Sequence, residues 1–231
     1  KATDMELGLS WQSIAEVVKP GSAVVPARGL FDIVRGLSVE SVELTLAGDG
    51  WMEIKAGRSR FKIVGLQPTE FPPLPQIDKE KGFKFKASDL LSIIDSTSFA
   101  MSTDEARYQL NGTYWESSEN KLRFAATDGH RLSVVEVAAA TQVEIKGAIV
   151  PRKGMLELKR LTEKAMNDVE LWVGDKYAAA RMDGTTLIMR LIEGKFPPYS
   201  RVIPKDIKRT LNVDRNEMIA ALKRMMTISV E

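Results

Sequence analysis

Cysteine is absent from the 231 residues of the sequence, and histidine occurs once, as His130. Without cysteine the chain has no disulfide framework and no thiolate metal site. With a single histidine, a metal cage or a histidine-based proton relay would have to be built almost wholly from carboxylates. We therefore expect no metal site and no cofactor.

Long apolar runs are absent as well. No stretch approaches the roughly 18 apolar residues of a membrane-spanning helix, and the start, KATDMELGL, lacks the charged-then-apolar layout of a signal peptide. Nucleotide-binding loops of the types G-x-x-x-x-G-K-[ST] and G-x-G-x-x-G are missing. These absences favour a soluble, cytoplasmic protein with no membrane partner.

The charges nearly cancel, because 33 basic and 31 acidic residues leave a net charge of +2. Such a chain has no global attraction to nucleic acid, so any site for a polyanion must come from local placement of cations. With 44% hydrophobic and 28% charged residues, the composition is that of an ordinary globular protein. The length allows one or two domains.

The sequence repeats itself at a nearly constant interval. ATDMEL is echoed 124 positions later by ATDGHRL, VVPARGLFDIVRGL 125 positions later by IVPRKGMLELKRL, and EFPPLP 125 positions later by KFPPYS. FKFKASDLLSII is echoed 128 positions later by LNVDRNEMIAAL. Several matches in the same order are not chance, so the chain holds parts of three copies.

The phase of the repeat predicts three segments. Residues 1–78 are the later part of copy one, residues 79–205 a complete copy two, and residues 206–231 the opening of copy three. Both ends then fall inside a copy, and Lys1 is not an initiator methionine. We therefore expect a fragment of a longer protein.

The first half of copy two reads as a strand, a helix and three more strands. Phe83 and Phe85 alternate with lysines, as expected for a half-buried strand. ASDLLSIIDSTSF is typical of a helix with Ser88 as its N-cap. RYQLNGTYWE, NKLRFAAT and HRLSVVEV follow as strand-like runs. Turns are predicted at 117–120 and at Asp128-Gly129.

The second half repeats this order. GAIV is followed by a helix with Pro151 in its first turn, then by DVELWVG, KYAAARM and TTLIMRLI, with a turn at Asp183-Gly184. Met155, Leu158 and either Leu161 or Thr162 fall on one side of this helix. Helices on one face of largely antiparallel sheets predict an α+β fold.

The same helix carries basic residues in two pairs seven positions apart, which stack along one side. These pairs are Arg152 with Lys159 and Lys153 with Arg160. Arg28 and Arg35 have the same separation in copy one. The pattern fits either a surface for a polyanion or an ordinary solvated helix face.

Asp128 and His130 could form a catalytic base and its orienting carboxylate. Residues two apart on a hairpin share a face without reliably hydrogen bonding, and no nucleophile elbow G-x-S-x-G accompanies them. The residues alone therefore favour a turn, and a hydrolase is the alternative hypothesis.

RYQLNGTYWE, ATDGHRLSV, IVPRKGMLEL and GKFPPYSRVIP, in this order and at these spacings, closely resemble the bacterial DNA polymerase III beta subunit family, the replication sliding clamps. VPARGLFDIVRGL and AGRSRFKI resemble the first domain of that family. The resemblance covers essentially the whole chain. It implies clamp-type α+β repeats and a non-catalytic processivity factor, in which two protomers of three domains close head to tail around duplex DNA.

The resemblance implies that basic helix faces turn toward DNA and touch phosphates without reading bases. Tyr108 matches a family position near DNA, and it is followed here by Gln109, where better-known members have a second aromatic residue. The predicted DNA-facing residues are Arg28, Arg35, Tyr108, Arg152, Lys153, Lys159 and Arg160.

The family also has a pocket between domains two and three, into which the polymerase catalytic subunit, the clamp loader and repair proteins insert a short apolar motif. The matching positions are Leu110, Thr127, Gly129, His130, Arg131, Leu132, Pro197, Arg201 and Val202. Apolar walls and an arginine anchor suit such a peptide. Hairpin or core packing is the alternative for each position.

GRSRFKIV matches the strand at which clamp protomers meet. The resemblance implies a homodimer in the full-length protein, with Phe61 and Ile63 filling the interface and Arg58 and Arg60 pairing across it. An edge strand guarded by charge is the alternative. A nucleic-acid-binding repeat protein that does not encircle DNA is a further alternative function.

Overall fold

The structure is a computed structural model and describes residues 1–48, 50–77, 82–139 and 144–228. The chain divides into two compact units, Lys1–Phe196 and Pro197–Glu231. No helix in the described ranges is long and apolar enough to cross a membrane.

Along the first unit, runs of two to four strands are separated by single α-helices. They are, in chain order, β1 (Ala2–Thr3), β2 (Leu7–Trp11), α1 (Ala27–Arg35), β3 (Glu43–Ala47), β4 (Trp51–Ala56), β5 (Ser59–Val64), β6 (Phe83–Phe85), α2 (Ala87–Thr97), β7 (Gly112–Ser118), β8 (Lys121–Thr127), β9 (Leu132–Ala138), β10 (Ala148–Pro151), α3 (Arg152–Thr162), β11 (Val169–Val173), β12 (Tyr177–Met182) and β13 (Thr185–Arg190). The second unit contains α4 (Arg215–Met226).

Within the described residues the strands form three antiparallel sheets. One has six strands in the order β1-β2-β13-β12-β11-β6, one has four in the order β10-β7-β8-β9, and one has three in the order β3-β4-β5. Helices packed on antiparallel sheets confirm the predicted α+β class.

The predicted repeat is visible in the elements themselves. Helix α1 followed by β3, β4 and β5 has the same order as α3 followed by β11, β12 and β13. Helix α1 begins at Ala27 and α3 at Arg152, which is 125 positions later. The interval that repeats in the sequence therefore also repeats in the fold.

The core lies between helices α2 and α3 and the sheets beneath them. Helix α2 lies on β8 and β9, while α3 lies on β7 and β10 and also contacts β12 and β13. As predicted, α3 buries Met155, Leu158 and Thr162 on one side. The rings of Trp115 and Phe124 meet edge to face with centroids 5.2 Å apart. The opposite, charged side of α3 is left toward solvent.

The predicted hairpin turns are confirmed. Asp183 and Gly184 join β12 to β13 with φ values of 44° and 76°, and Glu119 and Asn120 join β7 to β8 with φ values of 51° and 62°. Positive φ at both central residues is the geometry that matches the twist of two antiparallel strands.

Three local predictions were wrong. The strand predicted from Arg107 begins only at Gly112, because residues 105–110 form a 3-10 helix whose N-cap, Asp104, accepts a hydrogen bond from the amide of Ala106. Ser88 is not the N-cap of α2, since the helix begins at Ala87 after Lys86. Pro151 ends β10 and is the N-cap of α3, one position before its first turn.

The boundary predicted between copies one and two, at 78/79, lies outside the described residues. The boundary at 205/206 falls inside the second compact unit. The division into three domains stays a prediction.

Candidate functional site

The connection between β8 and β9, residues 128–131, is organised by the carboxylate of Asp128. Its Oδ1 accepts hydrogen bonds from the amides of His130 and Arg131, each at 3.0 Å. Its Oδ2 lies 2.9 Å from Nε of Arg131. The hydrogen bonds from the His130 and Arg131 amides, reinforced by the Arg131 side chain, lower the pKa of Asp128 to about 2. This connection is called the β8–β9 loop below.

Thr127, the last residue of β8, closes the same loop through its side-chain hydroxyl. Its hydroxyl donates to the carbonyl of Arg131 at 2.7 Å and accepts from the amide of Gly129 at 3.0 Å. Gly129 has a φ of 91°, a conformation that side chains rarely adopt. The loop is therefore a closed turn that carries His130 and Arg131 exposed on its outer side.

The catalytic hypothesis for Asp128 and His130 is not supported. Both carboxylate oxygens of Asp128 are engaged by the loop amides and by Arg131. No hydrogen bond in the described part of the chain joins that carboxylate to the His130 ring. A carboxylate with a pKa of about 2 is also a weak proton acceptor at neutral pH.

Two residues that sequence reasoning missed hold the loop from outside. Oδ2 of Asp104 accepts a hydrogen bond from Nε of Arg107 at 2.9 Å, and Nη1 of Arg107 donates to the Asp128 carbonyl at 3.3 Å. Asp104 and Arg107 have the same D-x-x-R spacing as Asp128 and Arg131. That repeated spacing is the signal in the sequence that could have identified them.

A cleft of about 300 Å³ is lined by residues of both the β8–β9 loop and the segment that contains Arg107. The guanidinium of Arg131 lies over the Phe99 ring, 5.5 Å from its centroid. The cleft is lined by Phe99, Met101, Ser102, Thr103, Asp104, Arg107, Asp128, His130, Arg131 and Arg152. Its walls combine apolar surface with exposed guanidinium groups, the combination that suits a peptide with apolar and anionic groups.

The structure places the predicted pocket residues in different surroundings. Leu110 is buried, with 5% of its surface exposed, so it belongs to the core beneath the 3-10 segment. Thr127, Gly129, His130, Arg131 and Leu132 lie together at the β8–β9 loop. The remaining three predicted residues, Pro197, Arg201 and Val202, belong to the second compact unit, where each is exposed.

Two of the predicted DNA-facing cations on α3 form ion pairs with neighbouring carboxylates. Nζ of Lys159 lies 2.6 Å from Oδ1 of Asp95 on α2, and this hydrogen bond raises the pKa of Lys159. Arg160 makes a forked contact with Glu157, with Nε–Oε2 at 2.9 Å and Nη2–Oε1 at 2.5 Å. The positive charge on these positions is therefore partly compensated.

The other two positions on α3 contact different parts of the first unit. Lys153 pairs with Asp4 and with Glu6. Both hydrogen bonds raise the pKa of Lys153, and the bond to Asp4 has the larger effect. Nη1 of Arg152 reaches the Met101 carbonyl at 3.5 Å. Lys153 thus joins the start of the chain to the helix 149 positions away.

The predicted DNA-facing residues outside α3 are exposed. Nε of Arg28 lies 4.0 Å from Oδ2 of Asp32, with 95% of the Arg28 side chain exposed. The guanidinium of Arg35 lies over the Phe31 ring, 5.9 Å from its centroid. Tyr108 is exposed in the 3-10 segment next to Arg107.

The predicted protomer-contact residues lie on and beside β5, an edge strand of the described three-stranded sheet. Phe61 pairs with Ile54 and Ile63 with Met52, so both side chains share the face of buried residues on β4. Phe61 is 36% exposed, while Arg60 lies on the opposite face and Arg58 in the preceding turn.

Comparison with known proteins shows that two adjacent parts of the chain match domains of one protein family. Residues 1–75 match "DNA polymerase III beta subunit, N-terminal domain", and residues 84–198 match "DNA polymerase III beta subunit, central domain". The Beta sliding clamp of Caulobacter vibrioides is 38% identical over 237 residues, an alignment that covers 100% of this chain and 64% of that relative. The chain thus spans about 64% of the length of that relative.

Solved clamp structures have the same fold. The beta sliding clamp of Caulobacter crescentus superposes with a TM-score of 0.91 at 37% identity, covering 100% of this chain and 63% of that one. A sliding clamp from Bartonella birtlesii, solved with griselimycin bound, gives a TM-score of 0.90 at 36% identity with the same coverage.

Proposed function

The chain belongs to the bacterial DNA polymerase III beta subunit family, the sliding clamps, and we propose that it forms most of a clamp that encircles duplex DNA and tethers the replicative polymerase. The clamp is a non-catalytic processivity factor. The observation that carries this proposal is the likeness of the whole chain to solved clamps at a TM-score of 0.91. A factor of this kind acts where the chromosome is copied, so we propose the cytoplasm as its location.

In the proposed ring, residues 1–78 belong to domain one, residues 79–205 form domain two and residues 206–231 begin domain three. Head-to-tail contacts between similar domains either close into a ring or continue as a filament. Two protomers of three similar domains each close the ring. Closure retains the clamp on DNA by topology, so strong binding to the duplex is unnecessary.

We infer that the cations of α1 and α3 line the inner wall. Contacts with phosphates are sequence-independent and weaken with salt. The pairing of Lys159 with Asp95 and of Arg160 with Glu157 supports weak rather than tight attraction. A surface of paired charges lets the ring move along the duplex without holding it at one place.

The β8–β9 loop is the proposed receptor for partner peptides. His130 and Arg131 are exposed beside a cleft to which the exposed ring of Phe99 contributes apolar surface. Pro197, Arg201 and Val202, which the family resemblance also predicts as pocket residues, lie in the second compact unit, and their part in the pocket stays a prediction. Its ligands are short apolar motifs of the polymerase catalytic subunit, the clamp loader and repair proteins.

We further propose that β5 is the protomer contact of a homodimer. Its unpaired side in the described sheet can extend into a partner sheet, and Phe61 supplies exposed apolar surface there. Arg58 and Arg60 then pair with carboxylates of the facing protomer.

A chimera tests the encircling role. This chain replaces the matching stretch of the Caulobacter vibrioides clamp, and the chimera is loaded on nicked circular DNA. We expect it to stay on the circle and to be lost after the circle is linearised. Equal binding to circular and linear DNA would instead show a nucleic-acid-binding protein that does not encircle its ligand.

A further inference from the structure

Arg107 joins two segments that are distant in sequence. Its Nε donates to Asp104 within its own 3-10 segment, and its Nη1 donates to the carbonyl of Asp128, 21 positions away. The first bond orients the guanidinium and the second holds the β8–β9 loop. A planar guanidinium has the fixed fork of donors needed to make both bonds at once.

The loop also fits closely around this guanidinium. A Cβ atom added to Gly129 would lie 2.8 Å from Nη1 of Arg107. Gly129 therefore permits the loop backbone to approach Arg107, in addition to supplying the φ of 91° that the turn requires.

The ion pair between Arg107 and Asp104 contributes little to global stability, since the two side chains are 45% and 43% exposed. Its effect is local. The loop's own bonds, from Asp128 to the amides of His130 and Arg131, fix the shape of the turn. The bond from Arg107 adds an external hold on the same turn, which keeps the turn closed and in its place beside the cleft.

We propose that Arg107 is a positioning residue for partner binding: it holds the β8–β9 loop so that His130 and Arg131 face the peptide in the bound geometry. This inference rests on the proposed function of the loop as a peptide receptor. A loop held in its bound conformation avoids the entropy cost of ordering at the moment of binding. Arg107 itself acts through Asp128 and need not touch the peptide.

The first experiment measures the loop without any peptide. Amide hydrogen exchange by NMR is compared between the chain and its Arg107→Ala variant. Loss of the external bond lets the loop open more often, so exchange at Gly129, His130 and Arg131 is expected to rise about tenfold. Unchanged exchange at these amides would overturn the inference.

The second experiment measures binding of a pentapeptide with two leucines and a C-terminal phenylalanine by NMR titration at millimolar concentration. Arg107→Ala is expected to weaken affinity about tenfold with an unchanged melting temperature. Arg107→Lys keeps the charge but not the fork, so it is expected to restore less than half of the lost binding free energy. Full binding by Arg107→Lys would show that charge alone suffices and would overturn the inference.

Arg181→Ala is the matched control, because Arg181 is also 45% exposed and paired with a carboxylate, Glu170, but lies in the six-stranded sheet. It is expected to leave loop exchange and peptide affinity unchanged. If the wild-type chain shows no peptide-induced shifts, the proposed receptor role fails, whereas the exchange measurement still decides whether Arg107 holds the loop. If wild type and Arg107→Ala bind equally, only the positioning inference fails.

Discussion

Lys159 on α3 and Asp95 on α2 form an ion pair, with Nζ and Oδ1 separated by 2.6 Å, on the exposed side of the two packed helices. The Lys159 side chain is 34% exposed and also lies 3.8 Å from Oε1 of Glu163. A cation proposed to face DNA is thus already shared between two carboxylates. Its availability to a phosphate depends on Asp95.

Replacing Asp95 by Asn should strengthen DNA binding. The substitution removes the closest anionic partner of Lys159, which adds about one phosphate contact and steepens the salt dependence by about 0.9 in log–log slope. We expect roughly fivefold tighter binding of a labelled duplex at about 0.1 M salt, measured by fluorescence anisotropy.

Asp89→Asn is the control for that experiment. It makes the same change of net charge on the same helix, but six residues earlier, which places it about 120° around the helix from Asp95. It should change the affinity less than Asp95→Asn does. Equal effects of the two substitutions would show that overall charge, and not release of Lys159, controls binding.

The β8–β9 loop should resist acid to an unusually low pH. The pKa of Asp128 is lowered from 3.8 to about 2 by hydrogen bonds from the amides of His130 and Arg131. Because the folded-state pKa is depressed, the stabilisation is present above the unfolded pKa and is lost as pH falls through about 2. Amide chemical shifts of His130 and Arg131 should therefore show no carboxylate transition between about pH 5 and pH 3.

The Asp128→Asn variant is the reference for this titration. It cannot carry the negative charge, so its loop amides should show no transition even as the pH falls through about 2. A transition of the wild-type loop amides centred near the ordinary aspartate pKa of about 3.9 would contradict the structural role assigned to Asp128.

The four-stranded sheet that carries the site should depend on a close backbone approach at Gly112. A Cβ atom there would lie 2.3 Å from the carbonyl oxygen of Val150 on the neighbouring strand β10. Gly112→Ala must shift that strand, and we expect a loss of about 2 kcal/mol in the free energy of unfolding. Urea denaturation measures it.

Gly29→Ala provides the opposite case. An added Cβ at Gly29 on α1 meets no atom within 4 Å, so alanine should raise the free energy of unfolding by about 0.5–1 kcal/mol through helix propensity. A stabilising Gly112→Ala or a strongly destabilising Gly29→Ala would show that the backbone approaches differ from those described.

The sequence predicts those features of the fold that depend on local spacing. Apolar residues three and four apart place Leu158 and Thr162 on the buried side of α3, and Asp183-Gly184 specifies a two-residue turn. The 3-10 segment was missed because RYQL alternates like a strand, whereas the capping bond of Asp104 favours a turn. One local hydrogen bond outweighed the pattern there.

The electrostatics of the site could not be predicted in the same way. Lys159 and Asp95 are 64 positions apart, and Lys153 and Asp4 are 149 positions apart. Spacing along one helix indicated a stripe of cations, but the compensating carboxylates come from other elements. Arg107 likewise acquires its role only because folding brings the β8–β9 loop beside it.

Replacing His130 by Ala should weaken peptide binding without destabilising the fold. His130 is exposed on the loop, and only its backbone amide contributes to the bonds of Asp128. The free energy of unfolding should therefore change by less than about 0.5 kcal/mol. Binding of the same leucine- and phenylalanine-containing peptide should weaken about threefold to tenfold because the imidazole surface beside the cleft is lost.

NMR titration measures the peptide affinity, and thermal denaturation measures the stability. Lys146→Ala is the control for truncation of a surface side chain, because 85% of the Lys146 side chain is exposed. Unchanged peptide affinity in His130→Ala, with the wild-type chain binding the peptide, would remove His130 from the receptor surface.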